Sequence, residues 1–272
     1  MNISESNDVE KTLQKPDIHQ QWEGSYRTAE NETFYEEAFD YIQSVLNAPK
    51  NSTVLDAGCG STAHSIRLAK RGFSVLAVDF SESVLKKAEL NRQSIGLQDK
   101  IKLQRENILS LSFSDATFDY ILCWGVLMHI PDIEKAISEL ERVLKKGGIL
   151  VISEANMFSI QSIIERTVKP LLGKGNATVY KTAAGLEYWK STPSGKLLIR
   201  QTNIRWLKKK FTSNGFTIKK HVSGQFTELY TQFSSRRPRN LIHGFNHLWF
   251  KYLKIPYFAF GNILIIQKQT GV

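Results

Sequence analysis

Cysteine is nearly missing from this chain of 272 residues, which has only Cys59 and Cys123. Two thiols exclude a disulfide scaffold and cannot build a structural zinc site. They read as reduced thiols, and no metal is expected. Long apolar runs are missing too. With no stretch of about 18 apolar residues, no transmembrane helix is expected. The polar start MNISESNDVEKTLQKPD has no apolar h-region, so no signal peptide is expected and a cytoplasmic setting follows. Neither an internal repeat nor a low-complexity segment occurs. Acidic residues are scarce in the second half. Residues 157–272 hold 19 Lys/Arg against 3 Glu, net +16, while residues 1–156 are net −6. That asymmetry suits an anionic partner such as a phosphorylated small molecule, nucleic acid or a membrane surface, or else a solvated basic face.

What is present is an ordinary globular composition, 42% apolar and 23% charged, in a length suited to one large α/β domain with an added segment. Residues 1–20 read as a flexible tail. Phe34, Ala38, Tyr41, Ile42, Val45 and Leu46 recur at helical spacing before Pro49. Strands are predicted at 53–57, 74–79, 101–105, 118–124 and 149–154. Between them lie a helix from Ala63 to Gly72 and one capped by Ser81. Another is capped by Asp132, holding Ile133, Ile137, Leu140 and Leu144, with Lys145 and Lys146 in its last turn before Gly147-Gly148. This βα rhythm over 21–156 predicts a doubly wound, mostly parallel, Rossmann-like sheet.

The rhythm breaks after 156. Residues 157–215 read as an inserted helical and loop lid. Its first helix carries Ile160, Ile163, Ile164, Val168, Leu171 and Leu172. A stretch without clear periodicity follows at 173–203, and then a helix capped by Asn203. Residues 216–272 read as closing strands at 216–222 and 262–267 around a basic amphipathic helix over 240–254.

The segment VLDAGCGSTA, between strand and helix, concentrates the chemistry. Gly58 and Gly60 allow a sharp turn and a close backbone approach, and with Ala63 they fit G-x-G-x-x-A. Asp79 follows Gly60 by 19 positions at a strand end, where a carboxylate accepts hydrogen bonds from ribose hydroxyls. An adenosine-containing cofactor is implied. Asp56, two positions before the first glycine, would repel a pyrophosphate and favour a cationic sulfonium ligand with an amino group.

At this point the sequence resembles the class I S-adenosylmethionine-dependent methyltransferases. VLDAGCGSTAHSIRLAKRG looks like that family's first motif and VLAVDFSESVLKKA like its second. ENILSLSFSDATFDYILCWGVLMHIPD with ISELERVLKKGGILVISEAN looks like its third to fifth. The resemblance implies S-adenosylmethionine as cofactor, with Asp56, Gly58, Cys59 and Gly60 around its methionine part. Asp79 would hold the ribose and Phe80 would lie against adenine. Asn107, where relatives often have Asp, and Ile108 would flank the adenine edge, and Cys123 and Trp124 would lie beside the methionine chain.

His129, after the fourth strand, is the candidate general base. Tyr26 and Arg27 would cover the cofactor. Glu187, Tyr188 and Trp189, aromatics beside a carboxylate in the inserted segment, would meet the acceptor. The expected function is methyl transfer to an O- or N-nucleophile of a small molecule: a natural product, a sugar or a lipid-linked precursor, anionic in view of the basic half. Peripheral membrane contact through helix 240–254 is expected as well, and no obligate protein partner. RNA methylation and a non-catalytic cofactor-binding partner protein are the alternatives. Against RNA, no N/D-P-P-Y/F motif follows the fourth strand and no Pro-Cys dipeptide occurs.

Overall fold

In the computed structural model of the chain, residues 3–171 and 177–270 are described. Helices α1 (Ile3–Leu13), α2 (Pro16–Tyr26) and α3 (Ala29–Leu46) precede the first strand. The alternating part runs β1 (Thr53–Ala57), α4 (Ala63–Lys70), β2 (Ser74–Asp79), α5 (Glu82–Ser94), β3 (Ile101–Arg105), β4 (Phe118–Trp124), α6 (Ile133–Val143) and β5 (Leu144–Ala155). Then come α7 (Ile160–Leu171), β6 (Ala177–Lys181), β7 (Gly185–Thr192), β8 (Gly195–Thr202), α8 (Ile204–Ser213), β9 (Phe216–Ser223), α9 (Arg236–Leu248) and β10 (Gly261–Lys268).

Seven strands form one sheet in the order β3-β2-β1-β4-β5-β10-β9. It is parallel except for β10, which runs antiparallel to both its neighbours. Successive strand residues face opposite layers, as a period of two requires. Leu55, Ile121, Leu150 and Leu264 pack under α6 and α8 with Ile137, Leu140, Leu207 and Phe211. Val54, Leu122, Val151 and Ile263 pack on the other side with Phe39 and Ile42 of α3 and Leu68 of α4. The Asp132 carboxylate caps α6 by accepting from Lys135 N at 3.1 Å, and Asn203 caps α8 through Trp206 N at 3.2 Å. Ser81 precedes α5 but makes no side-chain cap.

Three expectations need correction. Residues 3–20 are not a loose tail: they belong to α1 and α2, and Val9, Leu13 and Ile18 pack with Leu197 and Leu198 of β8. A polar composition hid a short apolar stripe. Residues 144–148 belong to β5 and do not continue α6. Leu144 pairs with Phe118, and the register shifts before Tyr120 meets Ile149. A Cβ on Gly148 would lie 2.8 Å from the Lys145 carbonyl oxygen and 3.0 Å from that of Asp119, so the glycines serve a bulge inside the strand. Lys145 accordingly pairs across the bulge with Asp119 at 2.7 Å. Finally, residues 177–202 form a three-stranded antiparallel sheet, β6-β7-β8, within the stretch that showed no periodicity. Leu172 and residues 173–176 lie outside the described residues.

The amphipathic helix expected over 240–254 begins earlier, at Arg236. After Leu248 it widens into a π-turn, Trp249–Leu253.

Candidate active site

The turn after β1 builds one wall of the site. Gly58 and Gly60 have φ of +79° and +54°, in the left-handed region that glycine tolerates. A Cβ on Gly58 would lie 2.5 Å from Val126 Cγ2, so this position admits no side chain. The peptide N–H groups of Gly58 and Cys59 donate to the Val78 carbonyl at 2.8 and 2.9 Å, tying the turn to β2. At the end of β2 the Asp79 carboxylate accepts from Gly60 N at 3.0 Å and from Ser81 N at 2.9 Å. Burial raises its pKa. Each of its oxygens keeps a lone pair for a ligand hydroxyl.

These groups open on a cavity of about 360 Å³ at the C-terminal ends of β1, β2, β4 and β5. Strand order reverses between β1 and β4, the place where open α/β sheets take ligands. The volume falls in the range of small-molecule sites. A side-chain-free turn beside a buried carboxylate fits a ligand with vicinal hydroxyls.

Of the residues singled out from sequence, Gly58, Cys59, Gly60, Asp79, Phe80, Ile108, Trp124, His129 and Tyr26 line this cavity. Three others do not. Asp56 is buried behind the turn, where it accepts from Ser65 Oγ at 2.5 Å; burial pushes it up to about 7. It braces α4 from behind the wall, so it does not do the work the charge argument gave it. Asn107 spends its oxygen on Leu109 N at 2.9 Å in its own turn. Cys123 is wholly buried in the core beside Ile152.

Glu187, Tyr188 and Trp189 do not line the cavity either. Glu187 pairs with the fully buried Arg200 at 2.8 Å. Arg200 also donates to the carbonyls of Leu127 at 2.8 Å, Ile130 at 2.9 Å and Pro131 at 3.3 Å. This pair therefore fixes the loop that carries His129. Trp189 Nε1 donates to Glu187 at 3.3 Å, and the Tyr188 hydroxyl to Gln201 at 3.4 Å.

His129 Nδ1 lies 2.8 Å from the Leu198 carbonyl oxygen, a contact that requires Nδ1–H and leaves Nε2 as acceptor. Its ring stacks on Trp22, and burial pulls its pKa down to about 4. Among the lining residues that the sequence did not single out are Trp22, Glu154 and Glu228. Burial pushes Glu154 up to about 7; its Oε2 accepts from Thr202 Oγ1 at 3.2 Å, and Oε1 has no well-formed hydrogen bond among the described residues. Burial also pushes Glu228 up to about 7, and the Tyr26 hydroxyl donates to it at 3.0 Å. Arg27 donates to Ser61 Oγ at 2.7 Å beside the glycine turn.

Comparison with known proteins agrees with this architecture. A family model described as a methyltransferase domain matches residues 48–232. The chain belongs to the class I S-adenosylmethionine-dependent methyltransferase family. It is similar to the demethylmenaquinone methyltransferase of Staphylococcus epidermidis, 33% identical over 143 residues, which are 49% of this chain and 58% of that protein. The match thus spans less than two thirds of that relative's length.

Two solved structures share the fold. One is a magnesium protoporphyrin IX methyltransferase from Synechocystis with bound S-adenosylhomocysteine (TM-score 0.64, 17% identity, 97% of this chain and 100% of that one). The other is an S-adenosylmethionine-dependent methyltransferase from Methanosarcina mazei (TM-score 0.58, 23% identity, 85% and 98%).

Proposed function

We propose that this chain transfers a methyl group from S-adenosylmethionine to an oxygen or nitrogen nucleophile on a small, lipid-linked molecule. The observation that carries this reading is one cavity with a ribose-type carboxylate, Asp79, and proton-accepting groups, His129 and Glu154, all on its walls. Bound there, the cofactor supplies an electrophilic methyl group and leaves as S-adenosylhomocysteine. Asp79 would accept from both ribose hydroxyls, and Phe80 and Ile108 offer apolar surface to adenine. The turn at 58–60 and Arg27 would face the methionine part. The protein's contribution is to hold the acceptor in line and keep water out, which can supply several kcal/mol of the barrier reduction.

The lipid-linked part of the reading draws support from the name of the S. epidermidis relative. It also draws on an exposed apolar face. Leu241, Leu248, Tyr252 and Leu253 are 77%, 54%, 69% and 52% exposed on α9 and the turn after it, beside Arg236, Arg237, Lys251 and Lys254. Such a face suits peripheral contact with an anionic bilayer. Among the described residues no helix is long and apolar enough to cross a membrane. An RNA acceptor has less support. Among the described residues no lysine lines the cavity, and the two arginines that do are engaged, Arg27 with Glu23 and Arg67 with Glu32 and Glu36.

The test is incubation with methyl-labelled cofactor and a membrane lipid extract, followed by fractionation. Label is expected in a lipid-phase product. A chain that neither binds S-adenosylhomocysteine nor yields labelled product would overturn the reading.

A further inference from the structure

We propose that Glu154 and Glu228 form the polar seat for the acceptor, that they select a head group presenting O–H or N–H donors and reject an anionic one, and that Glu154 takes the proton released on methylation. This rests on the methyl-transfer reading and names the acceptor chemistry of the same cavity.

Glu154 stands one residue past Ser153, the β5 partner of Trp124 at the end of β4, and so at the C-terminal edge of the sheet, where the glycine turn also lies. It is only 3% exposed. One carboxylate oxygen is held by Thr202; the peptide N–H groups of Leu127 and Met128 approach the carboxylate, but Oε1 has no well-formed hydrogen bond among the described residues. A buried carboxyl oxygen without a donor is costly and is normally satisfied by protein, water or ligand. Arg200 acts on it electrostatically but gives it no hydrogen bond. Arg200 is directed to Glu187 and to the carbonyls of Leu127, Ile130 and Pro131. A donor brought by a ligand fills this gap.

Glu228 presents a second carboxyl to the cavity, already accepting from Tyr26. Its peptide N–H and the Thr227 hydroxyl both donate to Gln161 of α7, at 2.8 and 2.6 Å. Thr227 is also tied to Asn246 of α9 through Asn246 Nδ2 and the Thr227 carbonyl at 2.8 Å. This wall of the cavity is therefore continuous with the helix that bears the exposed apolar face.

Charge placement points the same way. Among the described residues, the basic half contributes Ile199, Glu228, Phe260 and Gly261 to the lining, and the one of these that carries charge is acidic. The positive field lies outside the cavity. A carboxylate or phosphate at the seat would meet carboxylates, whereas an anionic carrier or bilayer would meet the basic surface. The anionic acceptor head expected from composition is thus replaced by a neutral or cationic head on an anionic support.

The proton balance follows. As the acceptor's oxygen or nitrogen bonds to the methyl carbon, the methyl–sulfur bond breaks and its electron pair stays on sulfur. The nucleophile's proton passes to the Glu154 carboxylate and then to solvent. His129 serves this step poorly. Its Nδ1–H is committed to Leu198, and burial has reduced the basicity of Nε2.

The test uses the full chain preloaded with S-adenosylhomocysteine, titrated by calorimetry at about pH 8 with 1-naphthol and with 1-naphthoate. Wild type should bind 1-naphthol at least about 10-fold more tightly. Glu154→Gln, which keeps the side chain's shape, should shrink that ratio to about 3-fold or less. It should also cut label transfer to the lipid extract by about 100-fold, while leaving the chain folded and its S-adenosylhomocysteine affinity unchanged. Equal binding of the two probes by wild type, absence of binding for both, or a ratio that survives in Glu154→Gln would overturn the inference. Failure of wild type to bind S-adenosylhomocysteine would instead remove the methyl-transfer reading.

Discussion

The rings of Trp22 and His129 stack with centroids 4.6 Å apart and planes 23° apart, joining α2 to the loop that follows β4. The histidine is held between this ring and the Leu198 carbonyl. Removing either partner should loosen the acceptor end and leave the cofactor end intact. Trp22→Ala and His129→Ala are each expected to raise the acceptor KM and lower turnover by about 10-fold, with S-adenosylhomocysteine affinity near normal by calorimetry. A loss of about 10³-fold in turnover for His129→Ala at unchanged cofactor affinity would restore His129 as the base.

The cofactor end has its own test. Asp79→Ala should weaken S-adenosylmethionine and S-adenosylhomocysteine alike by about 1–3 kcal/mol, the loss of charge-assisted hydrogen bonds. Gly58→Ala should abolish binding, since the added methyl collides with Val126 in a backbone conformation strained for alanine. NAD should not bind wild type. Tight NAD binding in the same calorimeter would contradict the assignment.

Asp56, Glu154 and Glu228 are each pushed up to about 7 by burial. An acid with a raised folded-state pKa keeps its proton in the native state where the unfolded chain has lost it. The folded form then binds more protons, and stability falls as pH rises from about 4 to about 7 and is level above. Each group should contribute a loss of up to a few kcal/mol, seen as a lower denaturation midpoint at about pH 8 than at about pH 5. Glu154→Gln should flatten part of this slope. A midpoint that climbs between those two pH values would refute the sign.

Turnover should move in the opposite direction, rising through about pH 7 as Glu154 ionises. Around it lie the Arg200 guanidinium, the Cys123 thiol, which burial pushes well up, and His129, which burial pulls down to about 4. Asp56 and Glu228 also titrate near 7, so variants must separate them. The rise should vanish in Glu154→Gln and persist in Glu228→Gln. Persistence in Glu154→Gln would assign it elsewhere.

The apolar and basic face of α9 predicts a membrane response. Flotation with vesicles containing anionic lipid should carry the protein, and neutral vesicles should carry much less. Rising salt should weaken the interaction through screening. Replacing Leu241, Leu248 and Tyr252 together by serine should abolish flotation without changing S-adenosylhomocysteine binding. Flotation indifferent to both lipid charge and these three residues would leave the face as a solvated surface.

The main sheet was legible because its signals are local. Strands such as 53–57 and 118–124 are short apolar runs closed by turn residues, and Gly58, Gly60 and Asp79 lie at spacings that backbone geometry enforces. Glu154 and Glu228 were not legible. Their significance comes from burial and from partners up to 202 positions away, as in the Tyr26–Glu228 bond. Asp56 and Cys123 misled for the complementary reason. Strand residues alternate faces, and motif proximity does not say which face meets the cavity. The helices at 3–26 and the second sheet were hidden because their apolar residues are few and packed mainly on one another.

Arg200 has a consequence for how such proteins diversify. Its guanidinium, carried on β8, fixes the 127–131 loop through three carbonyls, while Asp79 and the glycine turn are tied to each other and to β2, with Arg27 bracing Ser61. The two ends of the cavity thus hang mainly on different elements. Changes within 177–202 would act on the cavity chiefly through the 127–131 loop, and reach the adenine side through Phe80, which packs with Leu197 and Leu198, so the small sheet acts as a tuning element laid over the main fold.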